Sequence, residues 1–172
     1  MRGFYVGRFQ PFHYGHYNVI ENISEDVDEI VVAVGSAQES HSVDNPFTGG
    51  ERISMITKSL EDIGPTVYSI PIEDINRNSL WVSHVQTMCP PFDRAYTNNP
   101  LVMQLFEEEG IETKENVLFE RDKYSGTKIR TKMLEDEEGE YLVPEPTAEV
   151  IEEINGVERL KKVSRTDEPN SV

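Results

Sequence analysis

Two histidines and an arginine surround one short turn near the start of the chain. This turn, residues 7–16 (GRFQPFHYGH), follows an apolar and aromatic segment at residues 2–6 that predicts a buried β-strand. Apolar residues then recur at near-helical spacing over residues 17–23, so a helix is expected to begin near Gly15. A strand that leads through a loop into a helix N-terminus favours phosphate binding, because unpaired backbone N–H groups and the helix dipole face the ligand.

His13 and His16 flank Gly15, which lets the backbone approach a ligand closely. We interpret the two imidazoles as hydrogen-bond donors to phosphate. Two alternatives are histidines with a purely structural role and a zinc site, which would need a third ligand such as His41 or His84. The chain has neither a Walker A motif nor a Gly-x-Gly-x-x-Gly turn, which disfavours ordinary P-loop and dinucleotide sites.

A second stretch with similar chemistry is residues 125–130 (SGTKIR). Ser125 or Thr127 can cap a helix over residues 127–134, which leaves free N–H groups while Arg130 lies one turn into the helix. Alone, this stretch is a weak indication of phosphate binding, because helix caps of this kind with solvated basic residues are common. Together with residues 7–16 it predicts a second phosphate-binding helix start.

The remaining pattern alternates strands with helices. Further strands are predicted at residues 29–35, 66–70, 92–97 and 116–119, and further helices at residues 50–62, 79–88 with Ser79 as N-cap, 100–106 and 147–154. Five alternating strands predict an α/β fold with a parallel sheet in a single domain, residues 1–163, followed by a disordered tail at residues 164–172. Ligands are then expected at the carboxyl ends of the strands.

The formal net charge of −16, from 32 acidic and 16 basic residues, disfavours nucleic acid and anionic membranes as partners. Two origins of this acidity stay open, an ordinary acidic protein and adaptation to molar salt. The single Cys89 cannot form an internal disulfide and is expected to be a buried structural thiol. No signal peptide or transmembrane run is recognisable, so we expect a cytoplasmic protein.

Residues 7–16 resemble the HxGH signature of the nucleotidylyltransferase superfamily, and residues 125–130 are similar to its second signature, Ser-x-Thr-x-Ile-Arg. Residues 35–41, 45–48, 78–82 and 90–93 resemble segments of the archaeal nicotinamide-nucleotide adenylyltransferases, and the acidity of the chain favours a salt-adapted source. The resemblance covers about residues 1–162. It implies a Rossmann-like sheet with helices on both faces, a homo-oligomer that is commonly a hexamer, and the reaction of ATP with nicotinamide mononucleotide to give NAD and diphosphate, with Mg²⁺.

The resemblance also implies roles for individual residues. The catalytic groups would be His13 and His16 on the triphosphate, with His16 nearest the α-phosphate, and Arg8 and Arg130 on the β- and γ-phosphates. The further ATP-binding residues would be Phe9, Gly15, Ser125, Thr127, Lys128 and Ile129, with Asn99 on the adenine and ribose side. The mononucleotide-binding residues would be Ser36 and Ala37 under the acceptor phosphate, Asp74, Asn78, and Trp81 stacked on the nicotinamide ring.

Some of these assignments have plain alternatives. Trp81 could be a core aromatic, and Lys128 could be solvated. Relatives can carry a basic residue where this chain has Asp44, so either Arg52 or Lys123 compensates or that contact is dispensable. Other functions with the same signatures are a pantetheine-phosphate or glycerol-phosphate type nucleotidyltransferase. A non-catalytic nucleotide sensor would be expected to lack Arg8, His16 or Arg130, and all three are present.

Overall fold

Strand β1 (Arg2–Gly7) lies at the centre of the sheet and leads directly into the first of the two signature stretches. The computed structural model describes residues 1–117, 119–120, 122–137 and 142–166. In these residues four more strands join β1: β2 (Glu29–Val34), β3 (Thr66–Pro71), β4 (Arg94–Tyr96) and β5 (Glu112–Lys114). All neighbours are parallel, in the order β3-β2-β1-β4-β5.

Helices connect the strands and continue after them. They are α1 (Tyr14–Ser24), α2 (Gly49–Ser59), α3 (Asn78–Met88), α4 (Pro100–Glu108), α5 (Gly126–Leu134), α6 (Glu145–Glu153) and α7 (Gly156–Thr166). Strand order reverses next to β1, because β2 and β4 lie on its two sides. Such a reversal opens a crevice at the carboxyl ends of the strands, where ligands bind in this architecture.

Strand β2 shows why the sheet is covered on both faces. Ile30, Val32 and Val34 join a core cluster with α1, α2 and α6, whereas Val31 and Ala33 join a second cluster with α3 and α4. Side chains alternate between faces along a strand, so a strand that is apolar at every position must be buried on both faces. The predicted single α/β domain with a Rossmann-like parallel sheet is confirmed.

The predicted fifth strand at residues 116–119 is wrong. The strand that pairs with β4 is β5, in the register Arg94↔Glu112 to Tyr96↔Lys114. A polar strand at the edge of a sheet is specified by backbone pairing and by contacts such as the Arg94–Glu112 ion pair (2.8 Å), and its sequence therefore lacks an apolar pattern. Leu118 lies outside the described residues.

Helices α3 and α7 also differ from prediction. Helix α3 begins at Asn78 with Arg77 as its N-cap residue, so Ser79 is not the cap. Helix α7 was not predicted. It packs through Leu160, which is fully buried, and through the bidentate pair of Arg159 with Glu51 (2.6 and 2.8 Å) at the start of α2.

The proposed boundary of a disordered tail at residue 164 falls inside α7, and residues 167–172 lie outside the described part of the chain. Where the chain is described, none of its helices combines the length and the apolar character that crossing a membrane requires.

Candidate active site

The two signature stretches meet at a buried hydrogen bond. Arg130, which is 4% exposed on α5, donates from Nη1 to the backbone carbonyl of Gln10 at 2.8 Å. The Gln10 amide in turn donates to Phe47 O (2.9 Å) and accepts from Phe47 N (3.0 Å). Gln10 therefore ties the loop after β1 both to α5 and to the start of α2. Its role was missed from sequence, since a glutamine inside a motif gives no sign of such bridging.

Glycines make this close approach possible. A Cβ on Gly126 would lie 3.0 Å from Gln10 O, so any larger residue would push α5 away from the loop after β1. At Gly15 a Cβ would lie 2.9 Å from the His13 ring and 3.0 Å from the Tyr124 side chain. The need for glycine at position 15 thus comes from packing within the protein.

The His13 and His16 rings stack on each other with centroids 3.6 Å apart and planes 21° apart. His16 Nδ1 accepts a hydrogen bond from the His13 backbone N–H at 3.2 Å. A neutral imidazole has one donor and one acceptor nitrogen, so the proton of His16 lies on Nε2. The ring is held from behind by Phe9 (centroids 4.8 Å) and Phe12 (5.7 Å). His16 is therefore a preoriented neutral donor.

Burial keeps both imidazoles neutral. It lowers the pKa of His13 to about 4, and it lowers the pKa of His16 well below 6.5, with a smaller contribution from the neighbouring His13 ring. His13 is 6% exposed, and its Nδ1 has no hydrogen-bond partner among the described residues. Two neutral, stacked rings suit donation to an anionic ligand and do not suit proton abstraction.

This pair predicts a pH-dependent stability. Protonation of His13 in the unfolded chain begins below pH 6.5, while the folded pKa is about 4. The free energy of unfolding should thus fall between these pH values, by on the order of 3 kcal/mol for full loss of this contribution. Urea unfolding at pH 7, 6 and 5 measures the slope. His13→Gln should flatten it, and parallel curves for the two proteins would contradict the assignment.

Three arginines converge on the loop after β1. Arg8 is exposed, Arg52 and Arg130 are buried, and the charge of Arg8 contributes to a lowered pKa of both buried guanidinium groups after desolvation. Arg130 Nη2 also lies 3.4 Å from Thr127 Oγ1 and 3.4 Å from Asp44 Oδ1. In a chain of net charge −16, this is a local positive site suited to a polyphosphate.

Asp44 thus contacts the Nη2 group of Arg130, which could otherwise donate to a phosphate. Its side chain is 79% exposed, so its pair with Arg130 is worth no more than about 1 kcal/mol. If the site binds ATP, as the resemblance implies, Asp44→Asn should lower the KM for ATP by up to about 5-fold at constant kcat, because 1.4 kcal/mol corresponds to tenfold. Steady-state kinetics at fixed mononucleotide measures this.

Asp62→Asn is the matched control for that variant. Asp62 is an exposed aspartate just before β3, at the amino ends of the strands, whereas the candidate site lies at their carboxyl ends. It therefore tests the general effect of one fewer negative charge. An equal change in both variants, or a raised KM in Asp44→Asn, would show that Asp44 does not compete with the phosphates.

Helix α5 presents its first turn beside these arginines. Ser125 is the N-cap, and its Oγ accepts from Lys128 N at 3.2 Å. The Lys128 ammonium contacts the backbone carbonyl of Asp122. Ile129 and Phe9 are essentially fully buried, so their predicted contacts with ATP are restricted to backbone atoms. Thr127 is exposed at the helix start.

The predicted mononucleotide residues lie at the carboxyl ends of β2 and β3. Ser36 and Ala37 follow the end of β2 after Gly35, and Ala37 N donates to Ile72 O (3.0 Å) beyond β3. Exposed Asp74 is held by Gln38, which donates to Asp74 Oδ2 (3.0 Å) and accepts from Asp74 N (3.0 Å). Gln38 is a second bridging residue that sequence reasoning missed.

Trp81 and Asn78 lie on the first turn of α3. Asn78 is exposed, whereas Trp81 is half-buried and makes an edge contact with Phe106 (centroids 5.4 Å). Part of the indole is thus exposed and could contact a ligand at the start of α3, the helix that follows β3. Asn99 lies beyond β4 as the N-cap of α4, and its Oδ1 accepts from Leu101 N at 3.0 Å.

Neither residue suggested as a substitute at position 44 offers a free cation. Arg52 donates all its N–H groups to backbone carbonyls, and the Lys123 ammonium lies 3.5 Å from the Glu120 carboxylate.

The two histidines suggested as a third zinc ligand make other contacts. His41 contacts Ser40 Oγ and His84 contacts Glu73 O. Among the described residues no group of three His, Cys, Asp or Glu side chains could hold a metal ion.

Two other features lie apart from this site. A cavity of about 600 Å³ between α5, α6 and α7 is lined by acids such as Glu149, Glu152 and Glu158, so its charge disfavours phosphate. Cys89 is half-buried, and burial raises the pKa of its thiol to about 11, which makes it unreactive.

Comparison with known families defines the class first. A family model described as cytidylyltransferase-like matches residues 4–132, which include both signature stretches and all of the sheet except the first two residues of β1. This is the class that a Rossmann-like sheet with two phosphate-binding helix starts indicates.

Relatives narrow the class. The chain is 56% identical over 167 residues to a nicotinamide-nucleotide adenylyltransferase of Haloarcula marismortui, covering 97% of this chain and 89% of that one. It is 56% identical to that of Methanoculleus marisnigri (96% and 99% covered) and 53% identical to that of Archaeoglobus fulgidus (97% and 99%). The chain belongs to the nicotinamide-nucleotide adenylyltransferase family.

A solved structure shows the same fold. A bifunctional NMN adenylyltransferase/ADP ribose pyrophosphatase of Francisella tularensis, in complex with AMP and a manganese ion, matches with a TM-score of 0.77 at 18% identity. The match covers 96% of this chain and 52% of that one, so this chain spans about half the length of the bifunctional protein.

Proposed function

We propose that this chain joins ATP and nicotinamide mononucleotide to form NAD and diphosphate. The observation that carries the proposal is the buried Arg130–Gln10 hydrogen bond (2.8 Å). It places the start of α5 against the loop after β1, so that two helix N-termini and the guanidinium groups of Arg8 and Arg130 can act on one polyphosphate.

In this reaction the 5′-phosphate of the mononucleotide attacks the α-phosphorus of ATP in line with the departing diphosphate. The bond to the attacking oxygen forms as the bond to the bridging oxygen of the diphosphate breaks. The attacking phosphate is already ionised at neutral pH, so no general base is needed. Catalysis then depends on positioning and on stabilisation of the charge that develops on the phosphate oxygens.

His16 suits the α-phosphate, because its proton lies on Nε2 and its ring is fixed by the His13 backbone and by Phe9. A preoriented neutral donor reorganises little as charge develops. Arg8 and Arg130 suit the β- and γ-phosphates, since a guanidinium can donate two hydrogen bonds at once. His13 and the first turn of α5, with Ser125, Thr127 and Lys128, complete the triphosphate contacts.

On the other side of the reacting centre, Ser36 and Ala37 would lie under the acceptor phosphate. Trp81 would stack on the pyridine ring, with Asp74 and Asn78 beside it, and Asn99 would face the adenine and ribose. Each of these residues lies in the segment between a strand and the next helix or in the first turn of that helix. That common placement supports a single two-substrate crevice.

Divalent metal, with Mg²⁺ as the proposed ion, would enter as the metal complex of ATP. Mg²⁺ often binds mainly through substrate phosphates and water, with few protein ligands. This fits a described chain without a preformed cluster of three metal-ligating side chains.

We also propose that the protein acts in the cytoplasm as a homo-oligomer, a hexamer by family resemblance, and tolerates molar salt. The net charge of −16 and the relatives from Haloarcula and Halorubrum support the salt proposal. Light scattering across a KCl series measures both the assembly and its dependence on salt.

One assay tests the activity. Purified protein is incubated with ATP and Mg²⁺ and with nicotinamide mononucleotide, nicotinic acid mononucleotide or pantetheine phosphate, from low to molar KCl. NAD is detected by enzymatic reduction, and the other products by chromatography. We expect NAD and diphosphate in equal amounts. Absence of any dinucleotide at every salt concentration would refute the proposal, and turnover of pantetheine phosphate alone would replace it.

A further inference from the structure

Arg52 is a buried arginine whose hydrogen bonds all go to backbone carbonyls. Its side chain is fully buried on the first turn of α2. Nε donates to Thr48 O (3.2 Å), Nη1 donates to Arg8 O (2.8 Å) and Gly35 O (2.9 Å), and Nη2 lies near three further carbonyls. These three belong to Ser36 (3.1 Å), Ala37 (3.5 Å) and Glu39 (3.3 Å).

No carboxylate forms an ion pair with Arg52 among the described residues. Burial lowers the pKa of Arg52 to about 10, with Arg8 contributing, so the guanidinium stays charged at neutral pH. Buried charges are normally paired with an opposite charge. Here carbonyl dipoles satisfy the donors, and the carboxylates of Asp74 and Glu51 act on the positive charge without forming an ion pair with it.

The carbonyls that Arg52 binds determine where the adjoining N–H groups point. In a planar trans peptide the C=O and the next N–H point in opposite directions. The carbonyls of Arg8, Gly35, Ala37 and Glu39 face the guanidinium. The N–H groups that consequently face away from it are those of Phe9, Ser36, Gln38 and Ser40.

Most of these peptides belong to the loop after β2, which contains Ser36 and Ala37. Ser36 has a φ of 47°, a left-handed conformation that costs free energy for a serine and needs support from its surroundings. Arg52 supplies that support by binding the carbonyls of the two peptide groups that flank the Ser36 Cα, Gly35 O and Ser36 O. The loop is therefore shaped from behind by one side chain.

We propose that Arg52 is a positioning residue for the acceptor phosphate of the mononucleotide. It turns the N–H groups of the loop after β2 toward that phosphate and places a buried positive charge behind them. This inference rests on the proposed function. It also gives Arg52 a role distinct from that of a direct phosphate ligand, since its N–H groups are already engaged.

Arg52→Lys tests the inference, because lysine keeps the charge but has three donors where arginine has five. We expect the KM for nicotinamide mononucleotide to rise at least 10-fold, while the KM for ATP changes less than 3-fold. Arg159→Lys is the matched control. It weakens the contact with Glu51 at the start of the same helix and touches none of the carbonyls from residue 35 to 39.

A purely structural role would lower the thermal midpoint in both variants and leave the two KM values in their wild-type ratio, and that result would overturn the inference. If Arg52→Lys does not fold, backbone amide shifts of the wild-type protein decide. On titration with nicotinamide mononucleotide, the amides of Ser36, Gln38 and Ser40 should shift most, and unchanged amides would contradict the inference. A wild-type protein that forms no NAD would refute the proposed function separately.

Discussion

Replacing His16 with alanine is expected to lower kcat by at least about 10²-fold, with little change in the KM for either substrate. The Nε2 proton of His16 is fixed before substrate arrives, because Nδ1 accepts from the His13 N–H at 3.2 Å and the ring packs on Phe9 and Phe12. Removing one preorganised donor from a charge-stabilising site typically costs 10²–10³ in turnover. Single-turnover NAD formation at saturating substrates measures the chemical step.

Two replacements sharpen this result. Glutamine can place an amide N–H near the position of Nε2, whereas asparagine places its polar atoms near Nδ1. His16→Gln should therefore retain more activity than His16→Asn. Near wild-type turnover in His16→Ala, or greater activity in the asparagine variant, would refute a donor role for Nε2.

Arg130→Ala should lower kcat/KM for ATP by about 10²–10³-fold, since it removes a guanidinium from the proposed triphosphate site. It should also reduce stability by about 1–3 kcal/mol, because Gln10 O loses its buried donor. The two effects can be separated with Arg130→Lys, which keeps the charge but loses the planar fork. Kinetics and urea unfolding of both variants give the measurements.

For Arg130→Lys we expect a stability close to that of the wild type and an intermediate kcat/KM for ATP. Wild-type kinetics in Arg130→Ala would show that Arg130 only joins α5 to the loop after β1. A loss of kcat/KM that follows the loss of stability in both variants would point to the same conclusion.

Asp44 stands in a loop where the family resemblance implies a basic residue. Its carboxylate, 3.4 Å from Arg130, would compete with a phosphate for that guanidinium. Arg8, Arg130 and the buried Arg52 bring positive charge to the loop after β1. The proposed phosphate site would thus draw on arginines that the fold holds in place.

Much of the fold could be predicted from the pattern of apolar residues in the sequence. Strand β2 is apolar at five of the positions from Glu29 to Val34, and that run is sufficient to predict a strand buried on both faces. Prediction failed where stability comes from partners distant in sequence. Strand β5 is short and polar and is held by pairing with β4, and α7 is held by Leu160 and by the Arg159–Glu51 pair.

The sequence by itself determined the family and predicted the chemistry of the site. The residue types and their order in residues 7–16 and 125–130 predicted two helix N-termini with side chains that can bind phosphate. The relatives agree with the family that these stretches indicated. Local spacing was enough, because a strand, a turn and a helix start are encoded within about ten residues.

Only the tertiary structure decided how these residues are held. In the structure, Gln10 and Gln38 each connect two separate loops, and Asp44 pairs with Arg130. Arg52, a candidate phosphate ligand from sequence, is buried and binds backbone carbonyls instead. The physical reason is that a hydrogen bond between residues as distant as Gln10 and Arg130 depends on the packing of the whole sheet. No local pattern specifies that packing.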